Sequence, residues 1–238
     1  MTVKPVLYLV PGLLCSPRLW HGQRAALEEH FEVRDFLYHD HDRFDAAADA
    51  LLDAAPDRFM LAGFSAGGYL AQELATRVPE RVSRLALLST RPQAEPEGGG
   101  EARRALVAEA ETGTAAFERV ALEVLTPRYL PPARLSDRSL LGAMRAMAQD
   151  IGVAGFRNQQ EAIIHRPDSV PRLASVSCPT LVLSGAFDGV TTPEDHALIE
   201  AQTPKAVRFL LPGVGHMAPL EAPEAYRNIL VGFFCGGV

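Results

Sequence analysis

The sequence predicts an α/β protein built on a mostly parallel sheet of about six strands flanked by helices. Three observations predict it. Short apolar runs recur between longer segments of helical spacing. Proline and glycine punctuate the boundaries. From Val6 to Leu88 the order is strand, helix, strand, which brings successive strands together in parallel.

Val6–Val10 is apolar without interruption, as a strand buried on both faces must be, and Pro11-Gly12 ends it. Residues 31–38 predict a second strand, and Phe44–Ala54 repeats apolar residues at helical spacing through Phe44, Ala48, Leu51 and Leu52. The alternation continues with a strand at 59–62, a helix at 67–78 stopped by Pro79, and a strand over Val82–Leu88. After Ser89 a stretch rich in Pro, Glu and Gly interrupts the pattern, and helices are expected at 101–111, 114–125, 136–150 and 153–165. Gly113, Pro131-Pro132 and Gly152 separate them. Strands return at 180–184 and 207–211, with a helix from about Pro193 between them, and Pro223–Phe234 closes the chain as a helix. Residues 1–90 and 175–238 therefore form one core, and 91–174 a helical cap inserted into it.

At 238 residues the chain suits a single hydrophobic core, and 47% hydrophobic with 22% charged residues is far from the composition of a disordered chain. A net charge of -6 with scattered basic residues gives no footprint for nucleic acid. Val6–Val10 is too short for a membrane span or a signal segment, so neither a membrane partner nor export is expected, and the cytoplasm is the expected compartment. Cys15, Cys178 and Cys235 are odd in number and irregular in spacing, which suits free thiols better than disulfides or a metal knuckle.

The chemistry centres on Gly63-Phe64-Ser65-Ala66-Gly67, placed between a buried strand and a helix. A turn this tight excludes side chains at 63 and 67 and presents Ser65 Oγ to a pocket. With ten serines and nineteen glycines, chance supplies such a string roughly 0.06 times per chain, so accident is a poor explanation. A serine hydroxyl needs a base, and the base needs a carboxylate to hold its tautomer. Asp188 follows the 180–184 strand and His216 follows the 207–211 strand, and in a parallel sheet these ends share one edge with Ser65. Catalytic residues are therefore expected at Ser65, Asp188 and His216. The oxyanion hole is expected from the backbone amides of Ala66 and of Leu13, in the loop after the first strand.

Competing readings attach to several residues. Asp195 follows Pro193-Glu194 and is better explained as a first-turn helix charge than as the partner of the histidine. His39-Asp40-His41-Asp42 has ligand types but no partners in sequence, so a solvated loop is preferred to a metal site. Cys15 reads as packing, since nothing adjacent would lower its pKa. Leu140, Leu141, Met144, Met147 and Phe156 could line a substrate pocket or dock the cap, and the spacing fits both.

Pro11-Gly12-Leu13-Leu14, Gly63-Phe64-Ser65-Ala66-Gly67-Gly68, the segment around Asp188, and Gly215-His216 together resemble the α/β-hydrolase superfamily over nearly the whole chain. Within it the sequence is similar to small bacterial hydrolases related to carboxylesterases and proline iminopeptidases, a likeness to which Arg166-Pro167-Asp168-Ser169 adds. That resemblance implies the α/β-hydrolase fold, with a cap between the strands at Val82 and Thr180. Pro11-Gly12 stands where many relatives have His-Gly, and the first strand corresponds to the superfamily's third. The expectation is a serine hydrolase of a small-molecule acyl substrate, a carboxylic ester or related amide or thioester, needing no cofactor or metal. A serine at the elbow argues against dehalogenase or epoxide chemistry, which uses an aspartate there. Acyl transfer, carbon-carbon bond hydrolysis and a non-catalytic ligand-binding module are the alternatives, and oligomeric state is not legible.

Overall fold

The computed structural model describes residues 4–237, which form a six-stranded sheet. Strands β1 (Val6–Val10), β2 (Glu32–Asp35), β3 (Phe59–Phe64), β4 (Val82–Leu88), β5 (Thr180–Gly185) and β6 (Ala206–Leu211) lie in the order β2-β1-β3-β4-β5-β6. Every neighbouring pair is parallel. Side chains alternate between the faces, as the two-residue strand period requires. Leu7 and Leu9 of β1 join Phe64, Leu88 and Leu183 against α1 (His21–Glu28) and α10 (Pro223–Phe234). Tyr8 and Val10 face the other way, with Leu61, Leu85 and Val182, onto α2 (Phe44–Ala54) and α3 (Ala66–Arg77). Both faces are thus covered, which is why the central strands read as unbroken apolar runs.

The chain leaves β1 for β2 on one side and returns to β3 on the other. Such a switch opens a crevice at the carboxyl ends of the two central strands. The loop after β1 carries Gly12 and Leu13, and the turn after β3 carries Ser65.

The second strand is shorter than the expected 31–38. β2 lies at the sheet edge with β1 as its neighbour, and beyond Asp35 the chain turns so that Tyr38 is buried against Phe44, ring centroids 5.4 Å apart. β3 runs two residues past its expected end because Gly63 and Phe64 still pair with Leu87 and Leu88.

Between β4 and β5 lie α4 (Gly99–Ala110), α5 (Thr114–Arg119), a π-helical turn at Val120–Leu125, α6 (Thr126–Tyr129) and α7 (Arg138–Ile164). The run 114–125 was expected as one α-helix. It widens at its end because Pro127 has no amide hydrogen for an i–4 bond, and Thr126 Oγ1 donates to the Ala121 carbonyl at 3.0 Å instead. Helices 136–150 and 153–165 form the two halves of α7, divided where Gly152 adopts φ 69°. Asp137 caps its start, accepting from the Ser139 and Leu140 amides. Two further helices, α8 (Pro193–Gln202) and α9 (Ala218–Glu221), flank β6 in sequence. No described helix is long and apolar enough to cross a membrane.

Candidate active site

Ser65 occupies the turn from β3 into α3 at φ 51°, ψ -115°, a conformation that costs a non-glycine residue about 1–3 kcal/mol. The surroundings hold it there. A Cβ on Gly63 would lie 2.4 Å from the Gly67 carbonyl oxygen, and one on Gly67 only 2.3 Å from that of Val10. The Ser65 amide donates to the Leu88 carbonyl at 2.8 Å, and its own carbonyl accepts from Gly68 N and Thr90 Oγ1, both at 2.9 Å.

The loops after β5 and β6 bring the other two expected residues to this turn. Ser65 Oγ lies 3.0 Å from His216 Nε2, and His216 Nδ1 lies 2.8 Å from Asp188 Oδ2. Burial raises the Asp188 pKa, but the adjacent His216 and donors from Thr191 outweigh it and bring the carboxyl down to about 2. Oδ1 accepts from the Val190 and Thr191 amides at 2.9 Å, and Thr191 Oγ1 donates to Oδ2 at 2.8 Å. An ionised carboxylate only accepts, so it places the imidazole proton on Nδ1 and leaves Nε2 to accept from Ser65 Oγ.

The His216 ring sits between aromatic neighbours, with centroids 5.3 Å from those of both Phe64 and Tyr129. Its backbone amide donates to the Tyr129 carbonyl at 3.0 Å, and the Gly215 amide donates to Glu221 Oε2 at 3.0 Å. Helices α6 and α9 thereby fix the loop that carries the histidine.

Ala66 opens α3, so its amide has no acceptor one turn back. The Leu13 amide finds no protein acceptor among the described residues. Gly12 lets the loop approach: a Cβ there would lie 3.0 Å from the Ser65 Cβ. Leu14 adopts φ 55°, and its amide is taken by Gln159 Oε1 at 3.0 Å. Tyr129, Gln159 and Glu221 were not anticipated from sequence. Tyr129 acts on the histidine through a backbone carbonyl that residue type does not report, and Gln159 reaches its loop only through the folding of α7.

The remaining candidates separate. Asp195 caps α8 with Thr192 and accepts from Gln93, and the carboxylate bonded to His216 is that of Asp188. Among the described residues no group of three or more His, Cys, Asp or Glu is placed to hold a metal, and the His39 carbonyl is engaged by Asn158. Burial pushes the Cys15 thiol up to about 12. Met144 and Met147 line a cavity of about 20 Å³ with Leu13, Cys15, Tyr129 and Met217. Leu140 is buried in the core beside them, Leu141 packs on its margin, and Phe156 packs against Phe117. Packing is therefore seen for Leu140, Leu141 and Phe156, while Met144 and Met147 face a small cavity. Arg166 of the 166–169 segment is buried, stacks 4.4 Å from the Tyr69 ring centroid and pairs with Glu95, joining the helical insertion to α3.

The comparisons with known proteins agree with this architecture. Residues 5–223 match the family model for the alpha/beta hydrolase fold, so the chain belongs to the α/β-hydrolase family. It is similar to the pimeloyl-[acyl-carrier protein] methyl ester esterase of Yersinia enterocolitica, 29% identical over 189 residues that cover 78% of this chain and 73% of that esterase. Among solved structures, a thermophilic esterase from Thermogutta terrifontis, with malate bound, superposes with a TM-score of 0.87 at 25% identity, covering 98% of this chain and 90% of that one. The enol-lactonase of Burkholderia xenovorans shares the fold, with a TM-score of 0.85 at 21% identity over 98% of this chain and 92% of that one.

Proposed function

We propose that the chain hydrolyses small carboxylic esters through an acyl-enzyme on Ser65. The observation that carries this reading is the continuous hydrogen-bonded line from Ser65 Oγ through His216 to Asp188, at 3.0 and 2.8 Å. Similarity to proteins named as esterases supports the choice of an ester among acyl substrates.

In this reaction Ser65 Oγ attacks the ester carbonyl carbon while His216 Nε2 takes the hydroxyl proton. Asp188 stabilises the resulting imidazolium. The carbonyl oxygen, now an oxyanion, receives the Leu13 and Ala66 amides, which have no competing protein partner among the described residues. Collapse expels the alcohol, protonated by His216, and leaves an ester on Ser65. Water then repeats the sequence, deprotonated by His216, to release the acid and restore the serine. The helices of residues 91–174 serve as a cap, and the Tyr129 and Gln159 contacts make them part of the scaffold for the histidine and the oxyanion loop.

Steady-state hydrolysis of short-chain esters by wild type and Ser65→Ala tests the assignment. Turnover is expected to fall by roughly 10⁶ in the variant. Retention of more than a small fraction of the rate contradicts it.

A further inference from the structure

Leu13 and Tyr129, which line the small apolar cavity, also line a second one of about 270 Å³ that reaches Val190, two residues past Asp188. Arg103, Arg128, Gln160 and Glu95 supply its polar lining. Arg103 Nε donates to Glu95 Oε1 at 2.7 Å and Nη1 to Gln160 Oε1 at 2.8 Å. With its oxygen so engaged, fully buried Gln160 keeps Nε2 as a donor, and that atom has no partner among the described residues. Burial raises the Glu95 pKa, but Arg103 and Arg166 together outweigh it and hold the carboxyl below its usual value. The glutamate is therefore ionised and already shared between two guanidinium groups. Arg103 and Arg128 against Glu95 leave the lining with one positive charge in excess, in a chain whose net charge is -6. Arg128 pairs with no acidic side chain among the described residues.

We infer that this cavity binds a carboxylate carried by the substrate, so that the substrates are small esters with a free carboxylate on the arm remote from the scissile carbonyl. The inference rests on the ester-hydrolase reading above. The two cavities divide the substrate by size and polarity. About 20 Å³ holds little more than a methyl group or one water, whereas 270 Å³ accommodates a chain of several atoms. A carboxylate fits the polar lining because it only accepts, and what the lining leaves unpaired among the described residues are donors: Gln160 Nε2 and the Arg128 guanidinium. Uncharged arms leave the buried amide unsatisfied, which is the condition under which a site discriminates strongly.

Two matched pairs of substrates test this by proton release: monomethyl glutarate against methyl pentanoate, and 4-acetoxybutanoate against butyl acetate. They place the charge on the acyl and on the alcohol side respectively. In wild type the anionic member of at least one pair is expected to show a kcat/KM at least tenfold above its neutral partner, with the ratio falling as salt is added. Arg128→Gln and Arg103→Gln are expected to lower the rate on the anionic ester at least fivefold more than on the neutral one, mainly through KM. Arg128 is exposed, so its variant carries the test if Arg103→Gln disturbs the cap. Absence of any charge preference, or a preference that survives both substitutions, overturns the subsite while leaving the esterase intact. Failure of all four esters, with no reaction of Ser65 toward a fluorophosphonate, overturns the hydrolase reading and this inference with it.

Discussion

Gln159 Oε1 accepts the Leu14 amide at 3.0 Å, joining two residues 145 positions apart in the chain. Its Nε2 reaches back to the Gly12 carbonyl at 3.5 Å, so one buried side chain of α7 spans both sides of Leu13. The amide proposed to meet the oxyanion is thus set by a residue outside the sheet.

Replacing Gln159 with leucine should therefore lower kcat by about 10- to 100-fold, since displacement of a reacting group by an ångström costs up to that factor. KM should change far less, and Gln159→Glu, which keeps the acceptor for Leu14, should recover part of the rate. A leucine variant that is folded and fully active removes Gln159 from the positioning role.

Asp188→Asn keeps the size of the side chain and loses the charge that fixes the His216 tautomer. A fall in kcat of roughly 10⁴ is expected, with near-UV circular dichroism unchanged. A loss below tenfold would mean that His216 is oriented by its Tyr129 and aromatic contacts alone.

Much of this site was legible in the sequence, and the reasons are specific. Gly63 and Gly67 could be read because steric exclusion leaves only glycine at both places, and the Cβ positions built there collide with Gly67 and Val10 carbonyls. Asp188 and His216 could be read because parallel strands deliver their following loops to one edge. Phe44–Ala54 and Pro223–Phe234 matched their expected helical limits because apolar spacing or an N1 proline marks them. The interior of the insertion was less legible: its π-turn follows from one proline set against tertiary packing, and Gln159 and Gln160 look like ordinary polar residues on a helix until α7 is folded onto the β1 loop and α4.

On the inferred division of the substrate, the apolar cavity admits a group of about the size of a methyl. Met144→Ala should shift the preferred chain length on that side upward by two or more carbons, measured with a homologous ester series. The accompanying loss of stability should be about 2–5 kcal/mol. An unchanged chain-length profile would place this cavity outside the substrate path.

His196 is fully buried beside Ser184, its Nδ1 2.8 Å from Oγ. Burial pushes its pKa down to about 4, against the raising effect of Asp188 and Asp195. Between 6.5 and about 4 the unfolded chain binds this proton and the folded chain does not, so stability falls as pH is lowered through that window. The separation corresponds to about 3 kcal/mol. Urea midpoints at pH 7 and 4.5 should differ markedly in wild type and much less in His196→Gln. Equal slopes in both would mean that His196 titrates as it does in water.

The most direct test of the central claim is intact-protein mass spectrometry after reaction with a fluorophosphonate. The account predicts a single adduct, mapped by peptide digestion to Ser65, absent in Ser65→Ala and formed far more slowly in His216→Ala. An adduct on another residue, or ester turnover by a wild-type protein whose Ser65 stays unmodified, would contradict it.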